Sequence, residues 1–347
     1  MTFGSGGFLT PRTGLSEGRL VPTFATAEMK HTESKTTDPV IASERSGRKL
    51  SRYGWAPADR PRRPVLFVNP TSGGGKAAHA GVAERARERG IEVIVLRSGQ
   101  DLAALVGQVV ARGADALGVA GGDGSLAVVA AAVQAHELPF VCIPAGTRNH
   151  FALDLGVDRH DLVGALDAFT DGVERRIDLA QVNGRFFLNN VSLGLYGDAV
   201  RRPSYRDAKL RTLLETAHAV LGPSRAPPEL RLMDDTGTEH THPAVVLISN
   251  NPYALDRPVV TGTRPTLDSG RLGIIVLDLP RDPRRGPGRA WSAISVEVDA
   301  PEAIHAGIDG EAIDLTPPLK FVARPAALRV RISSRHPGVS PSGRRMT

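Results

Sequence analysis

The sequence is poor in several things, and each shortage narrows what it can be. One cysteine, Cys142, occurs in 347 residues. A disulfide within the chain is therefore excluded, and a reducing, cytoplasmic setting is expected. Phe, Trp and Tyr make up 5% of the residues, too few to interleave with basic side chains as a stacking platform, so no nucleic-acid partner is expected. No apolar run approaches the ~20 residues of a membrane-spanning helix. The first residues lack the charged-then-apolar layout of a secretory leader, so secretion is not expected. Among ten histidines only His240 and His242 stand at a short metal-ligand spacing, and alternating along a strand they read as surface residues. Acid is missing from the end of the chain: residues 324–347 hold six Arg and no Asp or Glu, while residues 1–64 hold 11 Lys+Arg against 6 Asp+Glu. The net charge of +6 thus sits largely in the tails and suits anionic partners such as nucleotide phosphates or an acidic membrane surface.

What is present is enough for two domains. Residues 1–60 mix Gly, Ser, Thr, Pro and charge without periodicity and read as a disordered basic tail. Order begins at Pro64. Short apolar runs at residues 65–68, 91–96, 117–120 and 139–144 read as strands, separated by helical stretches at about 77–89, 101–112 and 125–136. Continuous apolar strands alternating with helices predict a three-layer α/β domain over 64–175, with a mostly parallel sheet covered on both faces. In such sheets ligands bind beyond the carboxyl ends of the strands, where Asn69, Ser98, Asp123 and Thr147 fall. A helix is expected near 161–170. From about 176 to 320 the texture is β-rich, with an Asn183-Gly184 hairpin signal and strands near 229–233, 244–249, 272–277, 293–298 and 303–308. This predicts a second, mainly antiparallel β-sandwich domain. One amphipathic helix near 206–221, with a basic start, interrupts it and reads as a helix packed on its own domain or as a lid touching lipid. Residues 321–335 read as closing strands, with a return to the first domain left open, and 336–347 as a disordered tail.

The chemistry concentrates at Gly121-Gly122-Asp123-Gly124-Ser125, a tight turn between a buried strand and a helix. Glycines let backbone N–H groups approach a phosphate, and the helix start adds partial positive charge. A carboxylate within such a turn repels phosphate unless a metal or a transferable proton intervenes, which points to phosphoryl transfer. Two simpler motifs fail. The run Gly122-Asp123-Gly124-Ser125-Leu126-Ala127 fits a dinucleotide fingerprint on paper, but no acid closes the next strand. Gly75-Lys76 resembles the end of a P-loop, but Pro70 and Ala77 replace its first glycine and its hydroxyl residue.

Asn69-Pro70-Thr71-Ser72-Gly73, the Gly-Gly-Asp-Gly-Ser turn, Pro144-Ala145-Gly146-Thr147-Arg148-Asn149, Leu188-Asn189-Asn190, Ser249-Asn250 and Asp309-Gly310-Glu311 follow one another in that order. Together they resemble the diacylglycerol kinase catalytic-domain family, which includes sphingosine kinases and bacterial lipid kinases and is related in fold to NAD kinases. The resemblance covers residues 64–333. It implies an ATP- and Mg²⁺-dependent kinase of a lipid alcohol, peripheral on the cytoplasmic face of a membrane. It also implies ATP contacts from Gly121, Gly122, Gly124 and Ser125, with Asn69, Ser72, Ser98, Thr147 and Asn149 adding to them. Glu311 would be the base that removes the acceptor proton, and Asp123 would hold the Mg²⁺ or share the base role, a division left open. Two departures stand out. His150 occupies the place of a family Asp, and Ser269-Gly270 stands where bacterial members often carry the Asp-Gly of a structural Mg²⁺ site, with Asp268 one place earlier. A kinase of a soluble alcohol such as NAD, and a catalytically silent nucleotide- or lipid-binding regulator, are the alternatives. Oligomeric state is open, a homodimer included.

Overall fold

In a computed structural model, residues 51–194, 229–241, 243–255, 262–277 and 288–343 are described. The first part alternates strands β1 (Ala56–Pro57), β2 (Pro64–Val68), β3 (Glu92–Val95), β4 (Ala116–Gly121) and β5 (Phe140–Pro144) with helices α1 (Lys76–His79), α2 (Val82–Glu88), α3 (Leu102–Ala111), α4 (Asp123–Ala135), α5 (His150–Asp154) and α6 (Leu162–Ala165). Every residue of β2, β4 and β5 is buried, as parallel strands covered on both faces require. They pair in parallel in the order β5-β4-β2-β3. The helix expected at 77–89 is two helices, because Gly81 takes φ 60 between α1 and α2. Asp101 caps α3 by accepting from Ala104 N at 3.1 Å. The helix expected near 161–170 is the single turn α6, capped by Asp161 on Gly164 N, continued as a 3₁₀ turn, Leu166–Phe169.

From β6 (Gly172–Val182) onward the strands pair antiparallel with one another: β7 (Arg185–Phe187), β8 (Asn190–Gly194), β9 (Arg231–Asp234), β10 (Glu239–Thr241), β11 (Val245–Asn250), β12 (Leu272–Leu277), β13 (Gly288–Ala293), β14 (Ser295–Asp299), β15 (Ile304–Ile308), β16 (Glu311–Leu315) and β17 (Leu319–Ser333). Six of them form a sheet in the order β13-β12-β11-β8-β15-β16. Others extend the first sheet, which runs β10-β9-β14-β17-β5-β4-β2-β3, with β6 beside β17. The architecture is thus α/β with a parallel sheet at the N-terminal side and a mainly antiparallel sandwich at the C-terminal side. The strand expected at 293–298 turns a corner at Ile294: β13 belongs to one sheet and β14 to the other. The chain also changes sheets between β7 and β8, across Leu188 and Asn189.

Two cores result. Phe67, Phe140, Phe151 and Phe169 centre the first. The second lies between the sandwich sheets around Phe187 and Phe321, whose rings meet edge to face at 6.4 Å. The closing strands expected over 321–335 are one strand, β17, with a register shift between Arg324 and Leu328. In the bulge Ala326 takes φ 51, and its N–H donates to Asp178 Oδ1 at 2.9 Å. β17 runs antiparallel along β6 and parallel to β5, and so supplies Phe321 to one core and Val330 to the other.

The inner ends of both expected tails are packed. Trp55 is buried, donates Nε1–H to Gly338 O at 2.6 Å and lies under the Arg175 guanidinium. Ser340 and Ser342 of the closing segment are buried as well. A lone tryptophan and scattered serines carry no periodicity, which is why these segments read as irregular. The expected helix at 206–221 lies outside the described residues. No helix among the described residues is long and apolar enough to cross a membrane.

Candidate active site

The loops that leave β2, β4 and β5 lie side by side at one sheet edge. After β2, Asn69 donates its N–H to Ala120 O at 2.9 Å, and its Oδ1 accepts from Thr71 N and Thr71 Oγ1 at 3.2 and 3.0 Å. Ser72 then opens a 3₁₀ turn, Ser72–Gly74. Lys76 Nζ reaches across to Gly146 O at 3.2 Å, tying this loop to the one after β5. After β4, Gly121 and Gly122 lead into α4, whose first N–H groups, around Gly124 and Ser125, have no partner within the helix. Gly146 packs on this turn so closely that a Cβ there would lie 2.6 Å from Gly122 Cα. Thr147 is exposed beside it.

Asn149 is buried with φ 52. Its Oδ1 accepts from Gly146 N at 2.7 Å, and its Nδ2 donates to Pro144 O and Gly146 O, both at 2.9 Å. Its side chain therefore shapes the loop that presents Thr147. Ser98 is the outlier among the sequence-derived candidates. It is exposed beyond β3, and β2 separates β3 from β4.

Two acids come to this edge from opposite ends of the chain. Asp123 is the first residue of α4, and its Oδ1 is buried without a hydrogen-bond partner. Burial pushes its pKa up to about 6; Arg264 and the N–H groups of His150 and Phe151 pull it down, and Asp154 pushes it up. Glu311 opens β16, and its carboxylate lies against Gly124, where a Cβ would overlap it. The Glu311 side chain is 64% exposed, with Arg185 Nη2 4.0 Å away. The glycine turn and the distant Asp-Gly-Glu segment therefore meet.

Three further groups complete the arrangement; the sequence marked Asp309 only as part of the Asp-Gly-Glu segment, with no role of its own, and did not mark the other two. Asp309 and Gly310, with φ 48 and 89, form the two-residue turn between β15 and β16, where Ile308 pairs with Glu311. Asp309 turns inward and accepts from the N–H groups of Leu188, Asn189 and Asn190 at 2.9, 2.7 and 3.2 Å. Burial pushes it up to about 6 against these bonds. An Asp-Gly pair between two strand-like runs is a hairpin signal, so this anchor was readable in principle. Tyr253 OH accepts from Asn190 Nδ2 at 2.9 Å, and burial pushes its pKa up to about 12. Arg264 and Asp154 form a buried ion pair at 2.7 Å. Nothing in the sequence around Arg264 marks it for burial.

For a divalent cation the site offers one open carboxylate oxygen, that of Asp123. Among the described residues no group of three or more His, Cys, Asp or Glu side chains gathers to hold one. The open Oδ1 of Asp123 suits a cation held by one carboxylate and completed by phosphate oxygens and water, the usual manner of Mg²⁺. At the place of the family's structural site Ser269 stands where an Asp would be, and the carboxylates nearby are engaged within the protein. Ser269 N and Oγ donate to Asn251 Oδ1 at 2.8 and 2.6 Å, Gly270 N donates to Asp178 Oδ2 at 2.7 Å, and Asp268 accepts from the Thr266 hydroxyl. His150 is exposed at the start of α5.

Known proteins similar to this chain fall in one family. The family model described as "Diacylglycerol kinase catalytic domain" matches residues 63–182. A Pseudomonas fluorescens protein named "Probable lipid kinase YegS-like" is 30% identical over 306 residues, covering 80% of this chain and 97% of that protein. A diacylglycerol kinase of Mycobacterium tuberculosis is 36% identical over 123 residues, which is 34% of this chain and 40% of that protein, so this match spans less than half of that relative. A crystal structure of a diacylglycerol kinase from Bacillus anthracis shares the fold, with a TM-score of 0.57 at 19% identity over 79% of this chain and 97% of that one. With its glycine turn facing a distant acid, and a relative matched nearly end to end, the chain belongs to the diacylglycerol kinase catalytic-domain family of lipid kinases.

Proposed function

We propose that this protein transfers the γ-phosphoryl group of ATP to the hydroxyl of a lipid alcohol, diacylglycerol-like or sphingoid-like. The observation that carries the reading is the Glu311 carboxylate against Gly124, at the start of α4. An acid on the acceptor side thereby abuts the turn suited to phosphates.

In this reading Gly121, Gly122, Gly124 and Ser125 cradle the phosphates through backbone N–H groups. Asn69, Ser72 and Thr147 border them, with Asn149 holding the loop in shape, and Ser98 reaches only the outer end of a bound nucleotide. Asp123 would hold Mg²⁺, which when bound would supply charge neutralisation at the phosphates. Glu311, exposed at the mouth, takes the proton of the incoming hydroxyl as the oxygen attacks phosphorus. A placed carboxylate of this kind is worth ~10²–10⁴ in rate. Arg185, 4.0 Å from the Glu311 carboxylate, adds positive charge beside that base. Most of the remaining acceleration comes from positioning and charge neutralisation, since a loose phosphoryl-transfer transition state leaves little covalent work to the protein. Work on a lipid acceptor places the protein peripherally at an anionic, cytoplasmic membrane face.

The test is incubation with labelled ATP, Mg²⁺ and a total lipid extract, with Asp123→Asn and Glu311→Gln in parallel. A labelled lipid from the wild type, lost in both folded variants, is expected. Label on a soluble acceptor such as NAD would move the substrate class. Undiminished turnover in either variant would remove that residue from its role.

A further inference from the structure

Arg264 lies between β11 and β12 and is fully buried, with 0% exposure. It makes five hydrogen bonds to three separate pieces of the chain. Its N–H and Nε donate to Asp154 Oδ1 and Oδ2 at 3.0 and 2.7 Å, Nη1 donates to Leu188 O and Asn250 O at 2.6 and 2.7 Å, and Nη2 donates to Asn189 Oδ1 at 3.0 Å.

Each partner leads to the site. Asp154 ends α5, the short helix that begins at His150 and whose first N–H groups face Asp123. Leu188 and Asn189 form the sheet-to-sheet crossing whose N–H groups grip Asp309, and the turn at Asp309 aims Glu311. Asn250 ends β11, and its Nδ2 donates to Leu188 O at 3.3 Å and to Asp178 O at 3.0 Å. The guanidinium therefore bridges the element behind Asp123 to the element behind Glu311. From the far side, Ser340 Oγ donates to Arg264 O at 2.5 Å, and Thr263 Oγ1 donates to Ser342 Oγ at 2.8 Å. The packed closing segment thus holds the Arg264 backbone in place.

A buried ion pair is weak evidence for stability, because well-packed apolar residues of similar size often serve as well or better. A planar fork that fixes several acceptors at once specifies geometry. We infer that Arg264, braced by Asp154, is a positioning residue that sets the relation of the Glu311 turn to the Asp123 turn. It touches neither nucleotide nor acceptor. The inference rests on the phosphoryl-transfer reading above.

The test uses the full chain with three variants: Asp154→Leu with Arg264→Met, which replaces the pair by apolar side chains; Asp154→Asn; and Arg264→Lys. Thermal unfolding, calorimetric ATP affinity and steady-state transfer to the wild type's lipid acceptor are measured for each. The glycine turn is set by its own flanking strand and helix, β4 and α4, so ATP affinity should stay within about threefold. kcat should fall about 10²-fold in the double variant, in line with the cost of ~1 Å misplacement, and at least tenfold in Asp154→Asn. Arg264→Lys should give no rescue, since an ammonium lacks the fork. Unchanged kcat in the folded double variant would overturn the inference. So would kcat, ATP affinity and melting temperature falling together, which marks a purely structural role. A wild type that labels no lipid would instead overturn the reading beneath it.

Discussion

The parallel half and the sandwich half build their parts of the site by different routes. On the parallel side each functional loop belongs to the strand and helix that flank it: the turn at Gly121–Asp123 joins β4 to α4, and the loop at Thr147 joins β5 to α5. On the sandwich side position is set by distant pairings. Asp309 is held by N–H groups about 120 residues away, and Arg264 by Asp154 at a separation of 110. The first kind of placement follows from local backbone preference. The second follows only once the sheets have assembled, so it is invisible to a window sliding along the chain.

The sharpest challenge to treating the halves as separate is a matched pair of core truncations. Phe140→Ala empties part of the α/β core and Phe321→Ala part of the sandwich; each is expected to cost about 3–5 kcal/mol. Because β6 and β17 feed both cores, urea unfolding should remain one transition in both variants, by fluorescence and by circular dichroism alike. Two separated transitions in Phe321→Ala would show that the sandwich melts alone.

Next in size is a change at the contact between the halves. Gly124→Ala puts a methyl where the Glu311 carboxylate sits, while alanine otherwise suits a helix. kcat should fall about 10²-fold, with ATP affinity and melting temperature close to wild type. Equal losses in ATP affinity and kcat would place the damage in the phosphate turn itself.

A third prediction concerns proton linkage in metal-free buffer. Asp123 has a pKa of about 6 when folded against 3.8 as its ordinary value. The folded state therefore binds this proton more tightly, and stability from this group is full below pH 3.8 and lost as pH rises through about 6. Asp123→Asn removes that cost. It should be more stable than wild type by about 1–3 kcal/mol above pH 6, with the advantage vanishing near pH 4 in urea titrations. A variant less stable than wild type at pH 8 would reverse this account. The smallest effect is a control inside the parallel half: Asp101→Ala loses the cap on α3 and about 1 kcal/mol, with kcat unchanged.

These contrasts explain what the sequence made legible. The strands β2, β4 and β5, the caps Asp101 and Asp161, and the glycine turn are local signatures, and each stands where its residues indicate. Gly81 splits a helix whose apolar periodicity reads through it. Ile294 is 52% exposed, a corner inside a run that reads as one strand. Pro325 and the bulge around Ala326 divide β17 on paper, yet pairing with β6 resumes beyond them. Charge burial is the hardest to foresee. Arg264 looks like any arginine of a basic chain, and only the convergence of Asp154 with two strand ends gives it a place in the interior.

Strands β6 and β17 thread both cores, so the two halves share one stretch of paired backbone. Rigid rotation of one half against the other would shear a continuous ladder of backbone hydrogen bonds. Any change in the separation of the Asp123 and Glu311 turns therefore has to come from the turns themselves, because the ladder beneath them is shared.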